Sequence, residues 1–223
     1  LLTENTIESS YKSSIATIWK DRVAKHQEYT AKIPFSDFKV FGFICQNIPK
    51  NSQLQVSNSS AIRYLQLFDL DKSIQVFCNR GTSGIDGSTS TAIGAALATN
   101  LPTILITGDI SFLYDSNALW NNYIPKNFKI ILLNNSGGGI FRILPGHQET
   151  ETFNTYFETS HQLNASHLAK MYGFDYFEAN DEATLQQQYK SFLNQNEKPS
   201  ILEIFTPEKE NNGILLDFFR RLL

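Results

Sequence analysis

Two short apolar runs rich in β-branched residues, 102–107 (PTILIT) and 128–133 (FKIILL), constrain this chain more than any other feature. Each has the length and composition of a buried strand. Each also stops abruptly at polar turn residues: Gly108 and Asp109 after the first, then Asn134, Asn135, Ser136 and a glycine run after the second. Between them, residues 111 to about 122 fit a helix, with Ser111 or Asp109 placed to cap it. A strand–helix–strand unit of this length makes parallel neighbours, so Asp109 and Asn135 are expected side by side at the carboxyl ends of two strands. That edge is where open α/β sheets bind ligands. A carboxylate, an amide oxygen and a freely exposed carbonyl of the glycine run form a hard oxygen set of the kind Mg²⁺ takes, with phosphates completing the shell. Phosphate oxygens are expected on the N–H groups that open the helix after Asp109 and on those of residues 137–139.

The rest of the chain repeats the alternation. Strands are expected at 53–56, 73–78, 175–179 and 200–205, and helices at 35–48, 88–98, 165–172, 181–194 and 211–223. Ser36 and Asp37 open the first of these helices, and Asp181 caps a helix that turns Leu185, Tyr189 and Phe192 inward. Six strands alternating with helices predict an α/β, doubly wound, mostly parallel sheet with helices on both faces. Residues 1–34 read as a linker with an N-terminal helix, its apolar positions Ile7, Tyr11, Ile15, Ile18, Trp19 and Val23 lying on the domain formed by 35–223. Segment 146–162 is polar, aromatic-rich and poorly periodic, and is expected to be a mobile loop over the site. His147, His161 and His167 show no ligand spacing with acidic partners and read as loop and cap residues.

Composition removes whole classes of function. A net charge of −3 with no long basic run argues against a nucleic-acid surface. The longest apolar run falls far short of a membrane span, and no signal-peptide pattern opens the chain. Cys45 and Cys78 both sit in apolar contexts and read as buried thiols, which points to a reducing, cytoplasmic setting. A chain that opens on Leu1 and holds a single methionine, Met171, reads as a fragment or a processed piece.

Gly108-Asp109, a spacer of about 25 residues and Asn134-Asn135 resemble the thiamine diphosphate motif of the decarboxylase and transketolase superfamily. The strings NRGTSGIDGSTSTAIGAA (79–96), GDISFLYDSNAL (108–119) and NNSGGGIFRILP (134–145) resemble one family within it, the menaquinone-pathway 2-succinyl-5-enolpyruvyl-6-hydroxy-3-cyclohexene-1-carboxylate synthases. The similarity runs from about Phe35 to the end, in the order of that family's C-terminal, diphosphate-binding domain. The resemblance implies thiamine diphosphate and Mg²⁺ (or Mn²⁺) as cofactors, with Asp109, Asn135 and Gly137 as metal ligands. It implies cofactor contacts at Asn58, Ser59, Gly84, Ile85, Gly108, Asp109, Ile110, Ser111, Asn135, Gly137, Gly138 and Ile140. Ile85 would support the bent cofactor, and Ile140, Phe141 and Leu144 would wall the thiazolium with apolar surface. Substrate contacts are implied at Ser59, Arg63, Arg80, Ile140, Phe141 and Leu144, for 2-oxoglutarate and isochorismate as substrates.

Read without the resemblance, Ser57–Ser60 simply starts a helix, and Arg80 suits either a substrate carboxylate or a surface ion pair. The family's activating glutamate lies on a pyrimidine-binding domain of a second subunit, which nothing here matches. A homodimer or homotetramer is therefore implied, with this chain alone catalytically silent. The competing enzyme reading is another thiamine-dependent 2-oxoacid decarboxylase of acetolactate-synthase type, which leaves the wording around Arg63 and Arg80 unexplained. A non-catalytic nucleotide-binding module would place G-x-G-x-x-G after the first strand, and residues 57–60 contain no glycine.

Overall fold

In a computed structural model of the chain, residues 10–222 are described, their side chains from residue 14 onward. Ile7 and the side chain of Tyr11 lie outside that range. The strands are β1 (Gln53–Val56), β2 (Gln75–Cys78), β3 (Thr103–Gly108), β4 (Lys129–Asn134), β5 (Asp175–Ala179) and β6 (Ser200–Phe205). They form one sheet in the order β2-β1-β3-β4-β6-β5, and every pairing is parallel. The expected six strands and the doubly wound class are both borne out.

Period-2 alternation divides each strand between two cores. Leu54, Val56, Ile104, Ile106, Ile131, Leu133, Leu202 and Ile204 face one layer of helices, while Leu105, Ile130, Leu132 and Ile201 face the other. The first layer holds α1 (Ser10–Lys32), α2 (Asp37–Asn47), α3 (Ser60–Leu65), α7 (Glu182–Asn194) and α8 (Asn211–Leu222). The second holds α4 (Ser88–Leu97), α5 (Asp109–Tyr114) and α6 (Ser166–Tyr172). Buried on both faces, β3 and β4 are apolar almost throughout, and each fully buried Ile or Leu contributes about 1.5–3 kcal/mol. Cys45, on α2, is buried in the first core, and burial pushes its thiol up to about 12.

Four expectations change. The helix predicted over 111–122 is α5 followed by a 3₁₀ turn, Ser116–Trp120. The break is at Asp115, whose Oδ2 accepts the N–H and hydroxyl of Ser90 (2.7 and 3.0 Å) and so caps α4, its neighbour in the same layer. Neither Ser111 nor Asp109 caps α5, which begins at Asp109 itself, after Gly108. The N-terminal helix docks only through its later turns: Tyr29 and Ile33 are buried, but Ile15, Ile18 and Trp19 are exposed. Residues within 146–162, expected as a loop, contain a π-helical turn, Phe153–Glu158. Arg142, itself buried, grips Glu158 through two guanidinium nitrogens and holds that turn against the sheet edge.

Candidate functional site

Ladder pairing sets Gly108 opposite Leu133, so the residues that follow β3 and β4 emerge together. Asp109 is buried there with its carboxylate already engaged. Oδ1 accepts the Ile110 N–H at 2.7 Å, and Oδ2 accepts the Gly137 N–H at 2.9 Å. His161 Nε2 lies 3.2 Å from the same Oδ2, outside hydrogen-bond geometry, so that contact is electrostatic. The Leu163 N–H donates to His161 Nδ1 (3.1 Å), which in the neutral ring leaves the proton on Nε2, facing the carboxylate. The neighbouring Asp109 raises the pKa of His161, with burial acting against it. The reading of His161 as a mere loop or cap residue is corrected here. The two residues stand 52 positions apart in the sequence, a distance that no local spacing could bridge.

The two asparagines at the end of β4 are fixed by different buried carboxylates. Asn134 Nδ2 donates to Glu203 Oε1 (2.7 Å) and to the Leu163 carbonyl (2.9 Å), while its Oδ1 accepts the Ser136 N–H (3.1 Å). Asn135 Nδ2 donates to Asp37 Oδ2 at 2.9 Å. Asp37 is buried at the start of α2, where the Thr206 hydroxyl donates to its Oδ1 (2.6 Å) and its own N–H donates to Asn211 Oδ1 (2.8 Å). Burial pushes the Asp37 carboxyl up to about 6, against the hydrogen bonds from Thr206 and Asn135. Sequence reasoning took Ser36-Asp37 as a helix opening; Ser36 does cap α2, but Asp37 reaches across to the strand end.

The glycine run does something other than expected. All three of its N–H groups are committed: Gly137 to Asp109, Gly138 to the Glu158 carbonyl (2.6 Å) and Gly139 to the Gly137 carbonyl (3.1 Å). The His161 N–H adds a bond to the Ser136 carbonyl (3.0 Å), so residues 136–138 are zipped to 158–161. A Cβ on Gly137, whose φ is +156°, would sit 2.8 Å from the Glu158 carbonyl oxygen. Here the glycines serve close backbone packing, not an open anion nest. The expected freely exposed carbonyl is likewise corrected: Gly137 O accepts one hydrogen bond and keeps one lone pair for a cation.

Above these groups opens a cavity of about 380 Å³. Asn58, Ser59, Gly84, Ile85, Gly108, Asp109, Ile110, Ser111, Asn135, Gly137, Gly138 and Ile140 all line it, as does Phe141. Loop 79–87 is tied in by Asn58 Nδ2, which donates to the Gly84 carbonyl (2.6 Å) and to that of Asn79, and by the Ser111 hydroxyl, which donates to the Ile85 carbonyl (2.6 Å). Ile85 is half-buried in the wall. The π-helical turn adds Tyr156, Phe157 and Glu158, residues the sequence pattern did not single out. Ser59, Ser83 and Thr159 on the cavity wall, and Ser136 beside it, have φ of +53° to +71°. Non-glycine residues held in that region carry of order 1–3 kcal/mol of strain, and such residues gather at binding sites. Arg63, Arg80 and Leu144 stand outside the cavity. The Arg63 guanidinium donates to the Ser59 carbonyl (2.8 Å), that of Arg80 donates to Asn58 Oδ1 (3.2 Å), and both side chains are exposed; Leu144 is half-exposed.

The donor set fits a divalent cation of the Mg²⁺ type: one carboxylate, one amide oxygen and one carbonyl lone pair, all hard oxygens. It fits an organic diphosphate as well. The first-turn N–H groups of α5 lie beside that set, all but that of Ile110, which Asp109 already accepts, and Ile85, Ile140 and Phe141 supply apolar wall.

Residues 58–204 match the family model described as thiamine pyrophosphate enzyme, C-terminal TPP binding domain. The chain is also similar to curated proteins named 2-succinyl-5-enolpyruvyl-6-hydroxy-3-cyclohexene-1-carboxylate synthase. The one from Flavobacterium johnsoniae is 63% identical over 97% of this chain and 39% of the relative. The one from Flavobacterium psychrophilum is 66% identical over 98% of this chain and 40% of the relative, and that from Bacteroides fragilis 42% identical over 86% and 35%. The chain thus spans about two fifths of the length of these two Flavobacterium relatives.

Proposed function

The chain belongs to the thiamine pyrophosphate enzymes, as their C-terminal cofactor-binding domain, and we propose that the protein it is part of is a 2-succinyl-5-enolpyruvyl-6-hydroxy-3-cyclohexene-1-carboxylate synthase. In this reading 2-oxoglutarate is decarboxylated and the remaining four-carbon unit is added to isochorismate in menaquinone biosynthesis, in the cytoplasm. The observation that carries it is the convergence of twelve dispersed positions on one cavity at the carboxyl ends of β1, β3 and β4. Residues 35–223 make up the diphosphate-binding domain and 1–34 a linker. The aminopyrimidine is met by a separate pyrimidine-binding domain of a second subunit, in a homodimer or homotetramer.

Thiamine diphosphate, when bound, supplies the carbon chemistry of decarboxylation and transfer. The chain's own residues do the rest. Asp109, Asn135 and the Gly137 carbonyl hold a Mg²⁺ or Mn²⁺ ion, and the first turn of α5 offers N–H groups to the diphosphate. Ile85, Ile140 and Phe141 exclude water from the reacting end of the cavity, where low polarity favours loss of a carboxylate's charge. Arg63 and Arg80, exposed near the cavity's edge and each using one guanidinium nitrogen on a neighbour, take carboxylates of the incoming acids with their remaining donors.

The test uses the natural full-length protein with thiamine diphosphate and Mg²⁺. Product should form only when 2-oxoglutarate and isochorismate are both present. Equal turnover with pyruvate as the sole 2-oxoacid would sink the assignment in favour of an acetolactate-type enzyme.

A further inference from the structure

We propose that Asp37 is a positioning residue for Asn135: it takes the amide N–H and thereby turns the amide oxygen toward the cation. The proposal rests on the reading of Asn135 as a metal ligand. An asparagine amide has two ends of nearly equal shape and opposite chemistry, and only one of them can serve a cation. An ionised carboxylate accepts hydrogen bonds and cannot donate them. Asp37 Oδ2, 2.9 Å from Asn135 Nδ2, therefore admits one orientation of the amide and rejects the flipped one, which would set two oxygens against each other. The carboxylate is itself held still. The Thr206 hydroxyl donates to its other oxygen (2.6 Å), and its backbone N–H is fixed by Asn211, at the start of α8. The chain of contacts is continuous from α8 and β6 through α2 to the end of β4. Its members are buried, and Asp37 and Asn135 both reach the cavity wall.

A carboxylate in the first turn suits the dipole of α2, but capping does not require its reach to Asn135. Ser36 already caps α2, with its hydroxyl accepting the Lys39 N–H, so a carboxylate at position 37 is free of that duty. Outer partners of metal ligands act in this way generally, and losing one weakens metal binding about 10- to 100-fold.

The experiment measures Mn²⁺ binding by the natural full-length protein in the presence of thiamine diphosphate, from the electron paramagnetic resonance signal of free Mn²⁺, together with thermal unfolding of each ligand-free variant. Asp37→Ala should weaken Mn²⁺ binding about 10- to 100-fold. Asn135→Ala should weaken it at least as much. The exchanged pair D37N/N135D separates positioning from bulk structure. In it the amide sits on α2 and the carboxylate at the end of β4. The amide can donate to one carboxylate oxygen and accept from the Thr206 hydroxyl, leaving the second carboxylate oxygen for the cation, so binding should be at least as tight as in the unaltered protein. If Asp37→Ala binds Mn²⁺ normally while Asn135→Ala does not, Asp37 has no positioning role. If Asn135→Ala binds normally, the metal-ligand reading itself fails and the inference goes with it. Should Asp37→Ala fail to fold, D37N/N135D decides alone: weakened Mn²⁺ binding in a folded exchanged pair overturns the proposal.

Discussion

At the scale of single residues, Asp109 joins two duties that the sequence presents as one. Its place after an apolar strand, on the edge where β4 also ends, is legible. What the sequence does not show is that the carboxylate also accepts the N–H groups of Ile110 and Gly137. Asp109→Ala should therefore abolish Mg²⁺-dependent binding of thiamine diphosphate in calorimetric titration. It should also cost about 1–3 kcal/mol in urea unfolding, because the buried Gly137 donor is left without a partner. An unchanged titration would remove Asp109 from the metal site. Gly137 tests the packing role of the glycine run. Gly137→Ala combines an unfavourable φ with a Cβ pressed to 2.8 Å from a backbone oxygen, so a loss of about 1–3 kcal/mol is expected from chemical denaturation. Stability equal to that of the unaltered protein would mean that the zipper between 136–138 and 158–161 yields freely. Asp37, His161 and Glu203 escaped sequence reading for a common reason: each meets its partner across a long stretch of chain, and hydrophobic periodicity carries no trace of a polar side chain's distant partner.

Elements were legible where composition and punctuation agreed. The apolar runs of β3 and β4 ended where their polar turns said they would, and the helix opened by Asp181 carries the expected cap, with Asp181 Oδ1 accepting the Thr184 N–H at 2.7 Å. Reading failed where one element borrows a residue from another. Asp115 leaves its own helix to cap α4, and Glu158 depends on Arg142, so no local signal announced the π-helical turn. Arg142→Met should strand the buried Glu158 carboxylate and cost about 3–5 kcal/mol, seen as a lowered urea midpoint, with residues 146–158 becoming the first proteolytic target. Unchanged stability would show that Glu158 does not depend on Arg142. Helix α1 offers a pH test. His26 packs against Phe38, Phe68 and Phe218, and burial lowers its pKa from 6.5, with Asp69 opposing. With the folded value below the unfolded one, the unfolded chain takes up the proton first as pH falls. The stability of the neutral, docked ring is therefore present above about pH 6.5 and is lost as pH drops through the folded value. Asp37 and His161, whose raised pKa values act in the opposite sense, are common to the unaltered protein and His26→Phe, so the thermal midpoint of the former relative to the latter should fall over that window; a difference that does not change with pH would assign the effect elsewhere.

For the whole molecule, the fold class followed from the alternation of six strands with helices, and the cavity opens where β1, β3 and β4 end together. Completeness did not follow. The chain spans two fifths of its relatives' length, and on the proposed reading it would hold the metal and diphosphate while the aminopyrimidine is met elsewhere. By itself it should bind Mg²⁺-pyrophosphate about as well as thiamine diphosphate in direct competition; strong preference for the whole cofactor would mean that it builds the aminopyrimidine pocket itself. No helix among the described residues is long and apolar enough to cross a membrane. The burial of Cys45 has a further, kinetic consequence. With its pKa pushed to about 12, only about one thiol in ten thousand is a thiolate at pH 8, and the folded core shields even that fraction. Alkylation at this position must wait for the molecule to open. A pulse of iodoacetamide, read by mass at residue 45, then counts unfolding events one molecule at a time, and the sulfur becomes a clock for the lifetime of the native state.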